Sequence, residues 1–247
     1  MIITHVGGPT AMINYAGLAI LTDPTFDPPG DHRVNNTRSL TKLTGPAMPP
    51  DRLGHLDLVL LSHDQHPDNL DTLGRELLPT AELVLSTPAA AQRIDAVTAI
   101  EPWQSRRVGT VRVTAVPARH GAPGMETIAG PVTGFILRAA GWPTVYISGD
   151  NASVGIAEEI AERFSIEVAL LFCGAARMPG ETTPLTLTAA DAVLVARAMP
   201  AATVVPLHSE GWLHFTESPG TLATAFAAAG IADRLLIPLP GRPLPVG

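Results

Sequence analysis

The sequence has little of three features that would place it in other classes of protein. Its single cysteine, Cys173, excludes an internal disulfide framework and is typical of a reducing compartment. No apolar run approaches the ~20 residues that a membrane-spanning helix needs. The N-terminal residues lack the basic segment of a secretion signal. We therefore expect a cytoplasmic protein that has no membrane partner.

Positive charge is also scarce. Lysine and arginine number 16 against 23 acidic residues, which gives a formal net charge of −7. A nucleic-acid partner would favour a basic patch, and an anionic membrane surface would favour a polybasic segment. We therefore exclude a nucleic-acid partner and expect a small-molecule substrate. The sequence leaves the oligomeric state open, with a homo-oligomer among the alternatives.

Apolar residues, by contrast, are plentiful and occur in short strand-like runs. They make up 46% of the chain, which is ample for a sizeable core. Strand-like runs come first and later alternate with helical segments, and no linker divides them. We predict one domain over residues 1–247, of α/β (α+β) class, with helices flanking a sheet sandwich. Residues 27–51 are predicted to form a long polar loop that acts as a lid or interface arm, and residues 235–237 a final strand.

The most informative stretch is 56–71, which begins as an apolar run and ends in metal-binding side chains. The run 56–61 predicts a strand that is buried on both faces. In α/β proteins, sites form where the carboxyl ends of such strands meet at one edge of the sheet. The candidates that follow strand-like runs are His63, His66, Asp68, His120, Asp150 and His208.

The chemistry of these candidates favours a hydrolytic metal site. Imidazoles and carboxylates without a thiolate suit Zn²⁺, Mn²⁺ or Fe²⁺, with zinc or manganese expected first. Six ligands are too many for one catalytic ion that keeps an open position, but they suit two ions bridged by a carboxylate and a hydroxide. The metal-bound hydroxide would be the nucleophile, because metal binding lowers the pKa of water toward ~7. Asp150 is the expected bridge, and Asp68 the expected ligand or base beside the attacking water.

Each of these residues taken alone also fits a structural role. His120 at a strand end is also typical of a polar surface residue, and residues 63–66 could form an ordinary loop. Residues 149–151 are also typical of a turn, since Asp and Asn favour turns. The metal-site hypothesis therefore depends on the whole set occurring together at one predicted edge.

The segment after His208 supplies candidates for the substrate side. Glu210 and His214 are expected either to support the ligands or to donate a proton to a leaving group. The alternative is that Trp212 and Phe215 pack while His214 stays exposed. Two arginines, Arg119 and Arg177, could meet an anionic substrate or form structural ion pairs.

Six segments resemble a known family in the same order along the chain. Residues 4–10 and 21–26 match its opening hairpin, residues 62–71 its first metal motif, and residues 116–120, 147–150 and 205–208 its later ligand positions. The family is the metallo-β-lactamase superfamily, in the branch of L-ascorbate-6-phosphate lactonase-like hydrolases. The resemblance implies a four-layer αββα sandwich with the metal site along one edge. It also implies that His5 lies near the site, where it would bind substrate or hydrogen-bond a ligand.

The first motif departs from the usual His-x-His-x-Asp-His order of that family. Counted from His63, the second histidine position holds Gln65. Counted from Asp68, His66 lies two residues before it as expected, with one extra residue after His63. The terminal histidine position holds Asn69 in either alignment. One metal position would then be weakened, or filled by Asn69 or Asp64, and a mononuclear site remains an alternative.

Three functions follow from these patterns. The first is a metal-dependent hydrolase of a small ester, lactone or phosphoester, with Asp68 and His214 as catalytic residues and Glu210 and His5 at the substrate. The second is a metal-binding protein whose altered first motif has weakened or abolished turnover. The third is a phosphodiesterase or nuclease of the same superfamily, which the acidic charge disfavours.

Overall fold

The computed structural model describes residues 1–247 apart from the side chain of Glu126. The strands are β1 Ile2–Gly7, β2 Thr10–Tyr15, β3 Leu18–Thr22, β4 Gly30–Arg33, β5 Ser39–Lys42, β6 Leu58–Leu60, β7 Val84–Ser86, β8 Val97–Ala99, β9 Ser105–Val108, β10 Val111–Pro117, β11 Thr133–Arg138, β12 Val145–Ile147, β13 Val168–Phe172, β14 Thr203–Leu207 and β15 Pro243–Pro245. The helices are α1 Thr72–Leu77, α2 Pro88–Ala91, α3 Glu126–Ala129, α4 Val154–Arg163, α5 Ala189–Ala198 and α6 Pro219–Ala228.

Thirteen of these strands form two mixed sheets. The first sheet has seven strands in the order β15-β1-β2-β3-β6-β7-β8, and the second has six in the order β14-β13-β12-β11-β10-β9. Strands β3, β6, β7 and β8 are parallel neighbours, as are β12, β13 and β14. β10 also runs parallel to β12, because both are antiparallel to β11, which lies between them. The carboxyl ends of β10, β12 and β14 therefore lie at one edge of the second sheet.

The two sheets pack face to face around the largest apolar cluster. It includes Ile3, Ile13 and Leu60 from the first sheet and Phe135 and Leu170 from the second, all at most 1% exposed. Side chains alternate between the faces of a strand, so the residues between these positions face outward and need a further layer to cover them.

Helices supply that layer on both outer faces. On the second sheet, Ala157 of α4, Val195 of α5 and Phe226 of α6 pack with Tyr146 and Leu171 in one buried cluster. On the first sheet, the α1–α2 region covers the outer face, for example through Ala90 and Leu78 against Val59. The order of layers is helix, sheet, sheet, helix, so the predicted four-layer αββα sandwich is confirmed. None of the described helices is long and apolar enough to cross a membrane.

Two local predictions are corrected. Residues 235–237 are not a strand: Leu235 makes only an isolated bridge to Val204, and the terminal strand is β15, paired with β1. Residues 27–51 are not a plain loop, because they contain the two-stranded sheet β4–β5. This hairpin is joined to the segment after His208, where the Leu43 amide donates to the Gly211 carbonyl at 2.7 Å. The hairpin therefore lies beside the edge that carries the predicted ligands.

Candidate metal centre

The candidate ligands come from the ends of four strands. His63 follows β6, His120 follows β10, Asp150 follows β12 and His208 follows β14. After each of these strands the chain turns at once, at the same edge of the sandwich, so that short polar segments carry the side chains inward. His63, Asp150 and His208 are at most 1% exposed, although histidine and aspartate are usually found nearer the surface.

Two of these turns need glycine or a strained backbone. Gly149, just before Asp150, has φ 55°, and a Cβ there would lie 2.6 Å from the Thr133 carbonyl oxygen. His208 itself has φ 55°, a left-handed conformation that costs a non-glycine residue of order 1 kcal/mol. The backbone beside it is also close-packed, since a Cβ on Gly174 would lie 2.2 Å from the His208 carbonyl oxygen. The tertiary structure thus holds His208 in a strained position that aims its ring into the cluster.

The first ligand group consists of three histidines. His63, His66 and His120 offer ring nitrogens that all lie within 4.8 Å of one another. His66 Nδ1 lies 3.0 Å from His63 Nε2 and 3.3 Å from His120 Nε2. The outer nitrogens are fixed by neighbours, because His63 Nδ1 lies 3.0 Å from Ser62 Oγ and His120 Nδ1 lies 2.8 Å from the Leu185 carbonyl oxygen. Such outer contacts fix the tautomer and ring orientation of metal-binding histidines.

The second group consists of Asp68, Asp150 and His208, again with one ligand atom each within 4.8 Å. His208 Nε2 lies 3.3 Å from Asp68 Oδ2, and His208 Nδ1 lies 3.5 Å from Asp150 Oδ1. The other oxygen of Asp150 lies 3.3 Å from His120 Nε2 in the first group. Asp150 therefore stands between the two groups, as a bridging ligand would.

The irregular residues of the first motif point away from this centre or support it. Asp64 makes two hydrogen bonds to Arg93, from Nε at 2.8 Å and from Nη2 at 2.5 Å. Gln65 lies against Gly130, where an added Cβ would come within 2.3 Å of Gln65 Nε2. Asn69 Nδ2 donates to Asp150 Oδ1 at 3.1 Å. The extra residue after His63 thus places Gln65 against Gly130 and leaves His66 with His63 and His120.

Burial and charge set the protonation of the cluster. Burial lowers the pKa of His63 from 6.5 to about 3 and that of His66 to about 4, so both rings are neutral near pH 7. Burial alone would raise the pKa of Asp68, but His214 and His208 outweigh it and hold that pKa well below its usual value. For His208, burial lowers the pKa, and the carboxylates Asp150 and Asp68 more than offset it. Neutral imidazoles beside ionised carboxylates are the state in which these side chains bind metal.

The hydrogen-bonding pattern also fits divalent ions. Several buried polar atoms of the cluster make no hydrogen bond to the described residues, although three of them lie near an oppositely charged group: Asp68 Oδ1, Asp150 Oδ2, His208 Nδ1 and His208 Nε2. Buried polar atoms are rarely left without a hydrogen bond, so atoms of this kind that converge at one place fit a site for an ion. His63, His66 and His120 could hold one ion, and Asp68, Asp150 and His208 a second. A third group, His55, Asp57 and Glu82, lies apart from this centre and is largely exposed.

A cavity of about 40 Å³ opens onto the centre. His66, Asp68 and His120 form part of its lining, together with His214. His214 Nε2 lies 2.9 Å from Asp68 Oδ2, and its ring packs against Phe215 at 4.6 Å between centroids. Trp212 is buried, as the packing alternative requires, but His214 is half-buried and faces the cavity.

His5 and Glu210 do not line this cavity. His5 Nε2 lies 3.0 Å from the Gly8 carbonyl oxygen and 3.6 Å from Glu210 Oε1. Glu210 Oε1 also accepts a hydrogen bond from the Gly8 amide at 2.9 Å. The Gly8 carbonyl in turn accepts from the His208 amide at 2.8 Å. This network connects the β1–β2 turn to the backbone that places His208.

Two residues at the site are absent from the predicted set. Asp23 is buried, has φ 29°, and accepts a hydrogen bond from the Ser62 amide at 2.7 Å. It thereby fixes the start of the segment that carries His63, and its place directly after a strand-like run was the available signal. Arg38 lines the cavity from the β4–β5 hairpin, and nothing in the local sequence around it indicated that position.

Comparison with known proteins agrees with this geometry. A metal-dependent hydrolase of Pelotomaculum thermopropionicum is 30% identical over 135 residues, which cover 52% of this chain and 55% of the relative. The mitochondrial N-acyl-phosphatidylethanolamine-hydrolyzing phospholipase D of Saccharomyces cerevisiae is 25% identical over 248 residues, covering 92% of this chain and 52% of the relative. The chain thus spans about half the length of the curated relatives it matches.

A solved structure shows the same fold over the whole length. The isothiocyanate hydrolase from Delia radicum gut bacteria superposes with a TM-score of 0.87 over 99% of both chains, at 22% identity. A family described as the Beta-lactamase superfamily domain matches residues 19–209, which contain all four ligand-bearing strand ends and every residue of the two ligand groups. The chain therefore belongs to the β-lactamase superfamily, among relatives that are named metal-dependent hydrolases.

Proposed function

We propose that this protein is a metal-dependent hydrolase that acts on a small ester, lactone or phosphoester. The observation that carries the proposal is the pairing of two ligand groups across Asp150 at the floor of one cavity. That arrangement suits two divalent ions, with zinc or manganese expected first. The placement of the chain in the L-ascorbate-6-phosphate lactonase-like branch belongs to this proposal as well, and would make phosphorylated lactones candidate substrates.

Divalent ions bound there would lower the pKa of water toward ~7 and polarise the carbonyl or phosphoryl oxygen of the substrate. Residues of the chain itself would then carry out the proton transfers. Asp68 Oδ1 has no partner and is placed to accept a proton from the attacking water. His214, which contacts the other oxygen of Asp68 and lines the cavity, is placed to donate a proton to the leaving oxygen. His5 and Glu210 would act indirectly, by holding the backbone at His208.

The identity of the relatives favours testing phosphodiesters beside carboxylic esters. The yeast relative is named as a phospholipase D, which cleaves a phosphodiester, and it aligns with 92% of this chain. The second candidate function is metal binding without turnover, which the loss of a histidine at Asn69 favours. Asn69 is 3.1 Å from Asp150 and supports that carboxylate, so the second ion keeps a smaller set of protein ligands.

The test combines metal analysis with a panel of substrates. We expect purified protein to bind one or two divalent ions per chain and to hydrolyse at least one aryl ester, lactone or aryl phosphodiester after reconstitution with Zn²⁺ or Mn²⁺. His66→Ala should lower the bound metal, because His66 lies within 3.3 Å of both other histidines of its group. Gln65→Ala is the matched control, since Gln65 lies against Gly130 and does not line the cavity, and its metal content should stay unchanged.

The outcomes separate the candidates. Bound metal without turnover of any substrate would favour the metal-binding alternative. A His66→Ala variant that keeps the full metal content would show that the assignment of the first group is wrong. Turnover of single-stranded RNA or DNA ahead of small esters would favour the nuclease reading instead.

A further inference from the structure

The cavity above the metal centre has a partly apolar wall. Leu40, Ala176, Met178 and Leu185 form part of its wall, while the histidines and Asp68 form its floor. Such a wall suits a short apolar segment of a ligand, and specificity in a pocket of this kind comes from the few polar groups placed in it. Two cationic side chains also line it, Arg38 and Arg177, and they differ in what occupies their donors.

The donors of Arg177 are occupied by acceptors of the protein itself. Its Nε donates to the Thr182 carbonyl oxygen at 3.1 Å, and its Nη1 donates to the Ala175 carbonyl oxygen at 3.4 Å. Nη1 also contacts Thr216 Oγ1. These contacts join the segment around Ala175 to the one around Thr216, so Arg177 has a structural role in one wall of the cavity.

The donors of Arg38 have no comparable acceptors. Its Nη1 contacts Met178 Sδ at 2.7 Å, and a thioether sulfur is a weak acceptor. Its Nε is buried and has no hydrogen-bond partner. Among the ion pairs of the described residues, none joins Arg38 to a carboxylate. The buried Nε is costly to the fold, because this donor loses water and gains no acceptor in return.

The hairpin holds Arg38 in this position. The amides of Val34 and Asn35 donate to the Arg38 carbonyl at 2.9 and 3.2 Å, which closes the turn between β4 and β5. At the other end of β5, Lys42 Nζ lies 3.2 Å from Asp71 Oδ2, and that ion pair is buried. The arginine is therefore presented by an anchored element and does not depend on a free loop.

We propose that Arg38 binds an anionic group of the substrate, a carboxylate or a phosphate, while the scissile bond lies at the histidines and Asp68. This assignment rests on the proposed hydrolase function and narrows its substrate class to small molecules with an anionic end and a short apolar middle. Arginine suits the task because its planar fork donates two parallel hydrogen bonds to one carboxylate or phosphate.

The first experiment compares two aryl esters of equal length. The substrates are phenyl butyrate, which is neutral, and monophenyl succinate, which ends in a carboxylate; the spontaneous release of phenol from each is subtracted. In the metal-loaded protein, Arg38→Gln should lower kcat/KM for the succinate ester about 10- to 100-fold, mainly through KM, as expected for a lost charge-assisted bond. The butyrate ester should change less than about 2-fold. Arg106→Gln, on the exposed strand β9, is the matched control and should leave both esters unchanged.

Equal losses on both esters, with metal content intact, would overturn the proposal, and so would no loss on either. Arg38→Lys should recover part of the loss, since it keeps the charge but not the fork. A purely structural role for Arg38 predicts instead that the Gln and Lys variants lose both esters together.

A binding measurement separates this proposal from the proposed function. Calorimetric titration of the metal-loaded protein would use butyrate, butyl phosphate and butanol as probes. We expect the two anions to bind to wild type, Arg38→Gln to weaken them at least about 10-fold, and the tighter anion to identify the group. If neither ester is hydrolysed but this difference appears, the hydrolase assignment fails and the anion subsite stands. If both anions bind the wild type and the variant equally, they bind elsewhere and the subsite is refuted.

Discussion

At the scale of residues, the main feature of the site is that His63 and His66 are buried and uncharged. Each ring contacts another potential ligand, and burial disfavours its protonated form. Asp68 and Asp150 are held in the opposite state, ionised beside His208. At neutral pH the cluster therefore contains imidazole lone pairs and carboxylate oxygens that face one another. An ion placed among them would satisfy the atoms that lack partners.

This arrangement predicts how the stability of the metal-free protein depends on pH. The folded-state pKa values of His63 and His66 are about 3 and about 4, against 6.5 for an unperturbed histidine. Below pH 6.5 the unfolded chain therefore takes up protons that the folded chain does not, and the free energy of unfolding falls as pH drops from 6.5 toward about 4. His208 has a raised pKa, so its contribution to stability is complete below pH 6.5 and leaves this loss unchanged.

The measurement is urea denaturation of chelator-treated protein at about pH 7 and about pH 5. We expect a lower midpoint at the acidic pH. A His63→Asn variant should depend on pH less than wild type. An unfolding midpoint that rises toward pH 5 would contradict the assignment of neutral, buried histidines.

At the scale of elements, short turns at the strand ends decide where the ligands point. The apolar runs and caps follow local rules: Thr188 caps α5 in a capping box, and Ser153 caps α4. The turns follow contacts across the fold, as at Gly174, which lies against the His208 backbone, and at Asp23, which binds the Ser62 amide. The β4–β5 hairpin is positioned in the same way, through Lys42 and the segment after His208.

Gly174→Ala should therefore destabilise the protein, by about 1–3 kcal/mol, because its Cβ would lie 2.2 Å from the His208 carbonyl oxygen. The matched control is Gly155→Ala in α4, which is exposed and where an added Cβ meets only Ser153 Oγ at 4.0 Å. That change should be neutral or stabilising, by roughly 0.5–1 kcal/mol, since alanine favours a helix. The midpoints of urea denaturation of the two variants would be compared. Equal midpoints would show that the backbone at His208 can shift to accommodate the added Cβ.

At the scale of the whole molecule, two sheets and two helical layers surround one apolar core, and the ligand groups lie at a single edge of it. The buried cluster contains carboxylates without cationic side chains beyond its own histidines, in a chain whose net charge is −7. Divalent ions would neutralise that charge. The prediction that residues 1–247 form one domain, and the expectations about compartment and oligomeric state, stay predictions.

Metal removal should lower the melting temperature of the whole protein. An ion that binds only the folded state stabilises it by about 2.7 kcal/mol when its free concentration is 100 times Kd. We expect thermal unfolding with excess chelator to occur several degrees below that with Zn²⁺, about 2–4 °C per kcal/mol for a chain of this size. His55→Ala is the control, because it alters only the exposed group, and should leave the shift unchanged. A melting temperature that changes with neither chelator nor metal would argue against a structural role for the ions.

The sequence by itself determined the layers of the fold and the identity of most ligand candidates. Apolar runs specify buried strands, and a histidine or aspartate directly after such a run is carried to a sheet edge wherever the strand lies. The tertiary structure alone decided the rest. Whether Gln65 or His66 faces the centre depends on the packing of Gln65 against Gly130, which is distant in sequence. Arg38 reaches the cavity because a hairpin docks beside His208, and no local pattern encodes a contact of that range.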